Sequence, residues 1–207
     1  MFEMLVQQYG FNEPIFLDDL KGKTLSDNAL RQTMKRLVDD GKLVRFDSGI
    51  YYIPKPIGLL KRSYMDLNKI IVSKYIVRRH TIFGYYSGFT FANQIGITSQ
   101  VPAQKEIVTN AEATNGRTVN IGASSVRLRK PKVEITAENV IALQLLDLIN
   151  DAQRYSEISD TEMVERIQFY VKEKNITREM IAQLVPFYPD KVSKKLIESR
   201  LIYVFAS

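Results

Sequence analysis

An α+β protein in two parts is what this sequence predicts. Residues 1–56 read as a small domain of three helices and a hairpin; residues 57–207 read as a mixed α/β domain ending in a helical cap. Three observations predict it. Apolar residues recur at helical spacing through the first forty positions and again after Thr136. The stretch 104–135 instead favours strands, in "QKEIVTN", "RTVNIG" and "SVRLRKPKVEI", punctuated by "NG" and "GAS". Between the two parts, "IPKPIG" from Ile53 to Gly58 sets two prolines two residues apart, and proline neither continues a strand ladder nor tolerates a helix before it.

Composition supports a packed interior and narrows the partners. Of the 207 residues 45% are hydrophobic, an ordinary globular share. No cysteine is present, which removes disulfides and thiolate metal sites and fits a reducing cytoplasm. The opening "MFEMLVQQYGF" lacks a positive n-region and a cleavage site, so no signal peptide is expected, and "NKIIVSKYIV" and "NVIALQLLDLI" are too short to span a bilayer. The net charge of +6 is unevenly spread: residues 1–62 hold 10 basic and 8 acidic groups, residues 63–135 hold 10 and 4, and residues 136–207 hold 9 and 11. A cationic middle attracts polyanions at long range.

Taken in order, Phe2, Leu5, Val6 and Tyr9 make a first helix, and Phe16, Leu17 and Leu20 a short second one over Ile15–Lys21. Gly22 to Leu25 forms a turn. Ser26 is placed to cap a third helix, with Asp27 in the first turn where the helix dipole favours a carboxylate, and Gly41 stops it after Asp40. Leu43 to Phe46 and Ile50 to Ile53 are strands joined by "DSG", with Gly49 free to take positive φ. Beyond the prolines, Tyr64–Arg79 reads as a helix with Leu67, Ile70, Ile71, Tyr75 and Ile76 inward. Gly84–Gly96 reads as a short helix, and 137–152, 160–174, 177–185 and 189–199 as the helices of the cap.

Three helices followed by a hairpin, in that order, make a winged helix-turn-helix. At 100° per residue, Leu30, Thr33, Met34, Leu37 and Val38 share one side of the third helix, while Asn28, Arg31, Gln32 and Lys35 share the other with Arg36 at its edge. Arginine pairs bidentately with guanine, and asparagine and glutamine with adenine. Lys42 and Arg45 flank the wing, where they can hold the DNA backbone, and Asp39 and Asp40 keep the far end of the helix off phosphate. The competing reading of this face is a solvated helix surface, or a surface that docks a protein.

In the second domain, Arg127 and Arg129 alternate with Val126 and Leu128 along a strand, with Lys130 and Lys132 around Pro131. They form either a phosphate-contacting ridge or an edge strand protected by charge. Arg78 and Arg79, before His80, give a second basic knot with the same two readings. Tyr85, Tyr86, Phe89 and Phe91 are expected in the core.

Enzymatic chemistry finds no foothold. His80 is the single histidine, and neither G-x-S-x-G nor G-x-G-x-x-G occurs. "GKT" at Gly22–Thr24 resembles the end of a phosphate-binding loop, but Leu17 stands where the loop's first glycine belongs. "VKEK" from Val171 and "KVEI" from Lys132 lack acidic partners. No catalytic residue, metal or cofactor is expected.

With these motifs stated, the chain resembles the AbiEi-type antitoxins of type IV toxin–antitoxin and abortive-infection systems. "ALRQTMKRLVDDGKLVRFDSGIYYIP" is similar to the family's L-x-x-L-x-x-x-G-x-L-x-R-x-x-x-G-x-Y pattern, and "IFGYYSGFTFANQIGITSQVP", Ile82–Pro102, resembles a signature of one branch. "IALQLLDLI" extends the match. The resemblance implies a cytoplasmic DNA-binding repressor, working at an inverted-repeat operator, that autoregulates its own operon and counteracts a nucleotidyltransferase-like toxin without a stable complex. On this chain the matching DNA-contact positions are Asn28, Arg31, Gln32 and Lys35, with Arg45 at the wing. A ligand- or protein-binding regulator with no toxin partner is the alternative.

Overall fold

A computed structural model describes residues 1–22, 25–55, 63–114 and 116–206. The "GKT" stretch past Gly22, the asparagine of the "NG" turn and the expected boundary at 56/57 lie outside the described residues. The protein is α+β, as expected. By contacts it divides into two compact units, Met1–Ser73 and Lys74–Ser207.

In the first unit, α1 (Phe2–Tyr9), α2 (Asp27–Asp39), β2 (Val44–Asp47) and β3 (Ile50–Tyr52) form where the apolar spacing puts them. The second helix does not form as read. Ile15–Phe16 is instead a two-residue strand, β1, followed by a single 3₁₀ turn over Leu17–Leu20. β1 pairs antiparallel with β3, Ile15 opposite Tyr51 and Phe16 opposite Ile50, giving a three-stranded sheet in the order β1-β3-β2. Two buried side chains in a row carry no period, so the pairing with a strand thirty-odd residues away decides their conformation. Leu5, Ile15, Leu20, Leu30, Met34, Leu43 and Ile53, each 3% exposed or less, make the core. Gly41 and Gly49 take φ of 71° and 73°, the left-handed values that a helix stop and a tight hairpin demand of a residue without a Cβ.

The helix α3 runs over Leu67–Tyr75, shorter than the expected Tyr64–Arg79. The chain turns straight into a small hairpin, β4 (Val77–Arg78) and β5 (Thr81–Ile82), with Arg79 and His80 at its tip, both at positive φ (51° and 65°). β-branched Val77, Thr81 and Ile82 favour strand over helix here, while the tip lacks the Asn-Gly pair that usually announces such a turn.

Within the second unit, Gly84–Ser87 is a strand, β6, and only Gly88–Gln94 is helix, α4; the expected helix over the whole of 84–96 is thereby corrected. β6, β7 (Gln104–Thr109), β9 (Ser124–Arg129) and β8 (Arg117–Ile121) form one sheet in that order. β7 and β9 run parallel, Ile107 opposite Leu128, because β8 is laid on the outside as the hairpin partner of β9. The long α5 (Val140–Tyr155) buries Leu143, Leu146, Ile149 and their neighbours, and α6 (Asp160–Glu173), α7 (Arg178–Leu184) and α8 (Asp190–Glu198) complete the cap near their expected spans. Tyr85 and Phe91 are core at 3% exposure each, Tyr86 and Phe89 half-buried against it, and Phe89 meets Tyr155 edge-on at 4.7 Å.

Candidate nucleic-acid interface

α2 is built to show one side. The Ser26 hydroxyl accepts a hydrogen bond from the Ala29 N–H at 3.4 Å and so occupies one of the free donors of the first turn. Leu30, Met34 and Leu37 are 1%, 0% and 8% exposed and hold the inner side in the core; Thr33 and Val38 are half-buried. Thr33 turns its hydroxyl back to the Ala29 carbonyl at 2.8 Å.

The outer side carries Asn28, Arg31, Gln32, Lys35 and Arg36, all exposed. Among the described residues these five side chains make no hydrogen bond or ion pair. Arg45, on β2, is exposed too, with its Nε donating to the Asp47 carbonyl at 3.4 Å. Arg31, Lys35 and Arg45 line a concavity of about 580 Å³ that lies between the 3₁₀ turn, α2 and the β2–β3 hairpin, with Ser48 on the hairpin side. Asp18 and Lys21 at the same concavity face each other at 2.6 Å. Sequence reading missed Lys21 and Ser48, because only the fold of the hairpin beside the 3₁₀ turn brings them here.

Lys42 stands elsewhere. Its ammonium is 3.8 Å from the Asp40 carboxylate and 5.9 Å from the centre of the Phe2 ring, and it does not line the concavity.

In the second unit the expected cations separate. Arg127, Lys130 and Lys132 are exposed, Arg79 is exposed at the β4–β5 tip and Arg78 half-buried beside it. Arg129 is not a free ridge cation, which corrects the expectation. Its terminal nitrogen donates to the Ser87 hydroxyl at 2.7 Å and lies 3.5 Å from the Asp147 carboxylate. That carboxylate also accepts from the hydroxyls of Tyr85 (3.1 Å), Ser87 (3.4 Å) and Tyr188 (3.0 Å). Lys132 sits with its ammonium 5.0 Å from the Tyr188 ring centre. Burial pushes the Asp147 carboxyl up from its ordinary value; Arg129, the two tyrosine hydroxyls and Lys132 oppose that shift by favouring the charged form. The network ties β6, β9, α5 and the turn before α8 together. The signal for it was present: one carboxylate inside the apolar run "IALQLLDLI" calls for a buried partner.

Among the described residues no group of three or more histidine, aspartate or glutamate side chains could hold a metal ion, and no helix is long and apolar enough to cross a membrane. No curated protein matches the chain. The sequence model of a family described as "Family of unknown function (DUF6088)" matches residues 13–179.

Proposed function

The chain belongs to the DUF6088 family, and we propose that it is a cytoplasmic DNA-binding transcriptional repressor whose first unit is a winged helix-turn-helix. One observation carries this reading. Five polar side chains without partners among the described residues, three of them cationic, stand exposed on the side of α2 opposite its buried stripe. A helix face whose only office is solvation has no need of a hairpin cation across a shared concavity, and Arg45 is placed there. The β1-β3-β2 sheet and the place of α2 directly before the β2–β3 hairpin support this reading, with the 3₁₀ turn over Leu17–Leu20 standing where the second helix was expected. The N-terminal half of α2 would enter the major groove of an inverted-repeat operator, the hairpin lying against the backbone.

The resemblance of Ile82–Pro102 to the AbiEi-type antitoxins extends the proposal: the repressor autoregulates a toxin–antitoxin operon, and its second unit counteracts a nucleotidyltransferase-like toxin without a stable complex. Tyr85, Phe91, Ala92 and Ile97 of that stretch are core residues, so the resemblance speaks through the fold rather than through a contact surface.

Duplex retention is the direct test. The whole protein, incubated with a random duplex library, enriches a defined sequence, and its affinity falls with salt by about 0.9 in log–log slope per phosphate contacted. Retention without salt dependence, or no retention at low salt, overturns the repressor. Rescue of growth when the chain is co-expressed with the toxin-like product of an adjacent gene tests the antitoxin half separately.

A further inference from the structure

We infer that the concavity between the 3₁₀ turn, α2 and the β2–β3 hairpin seats a backbone phosphate of the duplex, that Arg31 is a ligand of that phosphate, and that base choice falls to Asn28 and Gln32. This rests on the DNA-binding reading above and divides its side chains into two roles.

The geometry of α2 separates them. Taking the buried stripe of Leu30, Met34 and Leu37 as the inner direction, at 100° per residue the opposite crest passes between Asn28 and Gln32, each within roughly 30° of it. Arg31 lies about 90° round from the crest, and this is the side on which it lines the concavity with Lys35 and Arg45. Lys35 stands between crest and concavity, and Arg36 falls away on the opposite flank.

Shape and charge then assign the ligands. In a duplex the phosphates project and the base edges lie recessed between two backbones. A convex crest reaches a recessed edge, whereas a hollow walled by a helix and a hairpin receives a projecting group. The hollow is cationic where it is free: Asp18 and Lys21 neutralise each other at 2.6 Å. Arg31 and Lys35 have no partner among the described residues, and Arg45 spends only its Nε on the Asp47 carbonyl. Asp39 is the opposing charge at the end of the hollow nearest the helix C-terminus, which places the phosphate toward Arg31. On the crest, the amides of Asn28 and Gln32 each offer a donor and an acceptor, the pair that adenine presents in the major groove.

Substitution separates the roles, using the full chain and the duplex it selects from a random library. Arg31→Ala weakens every duplex by about tenfold, lowers the salt slope by about 0.9 and leaves the selected sequence unchanged. Arg31→Lys retains most of that slope, since a point charge serves a phosphate but cannot read guanine bidentately. Gln32→Ala and Asn28→Ala leave the slope alone and reduce discrimination at particular base pairs by about 5- to 100-fold. All three positions are exposed, so circular dichroism unchanged from the parent chain accompanies each measurement. The inference is overturned if Arg31→Ala alters the selected sequence, if it leaves the salt slope in place, or if Arg31→Lys loses as much as alanine; DNA binding as such survives those results. A parent chain that retains no duplex removes the reading itself and this division with it.

Discussion

Asp147 on α5 and Arg129 on β9 stand eighteen residues apart in sequence, and their pairing changes what each can do. On a strand alternating with Val126 and Leu128, arginines 127 and 129 look equivalent. In the fold Arg127 is exposed, while Arg129 is drawn to the Ser87 hydroxyl and the Asp147 carboxylate. The carboxylate, with its side chain 9% exposed, collects three hydroxyl donors and one guanidinium, so removing it strands a charge. Asp147→Ala is expected to lower stability by about 3 kcal/mol, the lower end of what breaking one side of a buried pair costs, because Arg129 keeps some water. Urea unfolding of parent and variant at neutral pH measures it; a loss under about 1 kcal/mol would reduce the network to a surface-like pair. Asp147 was legible as an anomaly in an apolar run. Its partners were not, because nothing local to a residue says which distant hydroxyl will face it.

At the scale of elements, α2 shows how much periodicity can carry. Its cap, its buried stripe, its glycine stop and its free outer side were all readable from thirteen consecutive residues and their neighbours. Hydrogen bonds four residues apart make a helix a local object, so its two sides follow from spacing. β1 and β6 show the opposite. Gly84 opens a strand whose backbone runs so close to its neighbours that a Cβ would lie 2.0 Å from the Tyr75 carbonyl oxygen and 2.9 Å from that of Val108. The "GYYSGF" run reads as the start of a helix because its reason for being extended is a neighbour, Tyr85 opposite Val108, from another part of the chain. Gly84→Ala should therefore be poorly tolerated, with backbone on both sides unable to move aside. Soluble expression and the thermal midpoint test this, and a variant as stable as the parent would mean that the strands separate freely there.

For the whole molecule, acid stability gathers contributions of opposite sign. Glu112, in the connection from β7 to β8, accepts from the Thr114 hydroxyl at 2.7 Å and the Thr114 N–H at 3.0 Å and pairs with the Arg117 Nε at 2.9 Å. These bonds, those of Thr114 foremost, hold its carboxyl down from 4.5 to about 2 against the effect of burial. A depressed carboxylate stabilises the fold fully above its unfolded value, and that contribution drains as pH falls from about 4.5 towards 2. Asp147 runs the other way: its carboxyl is raised from 3.8, chiefly by burial, so folding favours its proton and the fold loses stability as pH rises past that value. Glu112→Gln should flatten the acid limb of the stability profile below about pH 4.5, and Asp147→Asn should not. Urea midpoints across that range decide it; an unchanged acid limb in Glu112→Gln would assign the limb to other carboxylates.

By itself the sequence determined the class of the fold, the strands between residues 104 and 129, the helices of the cap and the two-sided α2, all features set by repeats of two or 3.6 residues along the backbone. Only the tertiary structure decided that Ile15–Phe16 is a strand, that β7 and β9 run parallel with β8 outside them, that Arg129 turns to Asp147, and that Arg31, Lys35 and Arg45 face a common hollow. The physical reason is range. A periodic pattern is enforced by hydrogen bonds between near neighbours, whereas a pairing, a buried charge or a concavity exists only when segments remote in the chain are brought together, and their spacing in the sequence carries no record of that meeting.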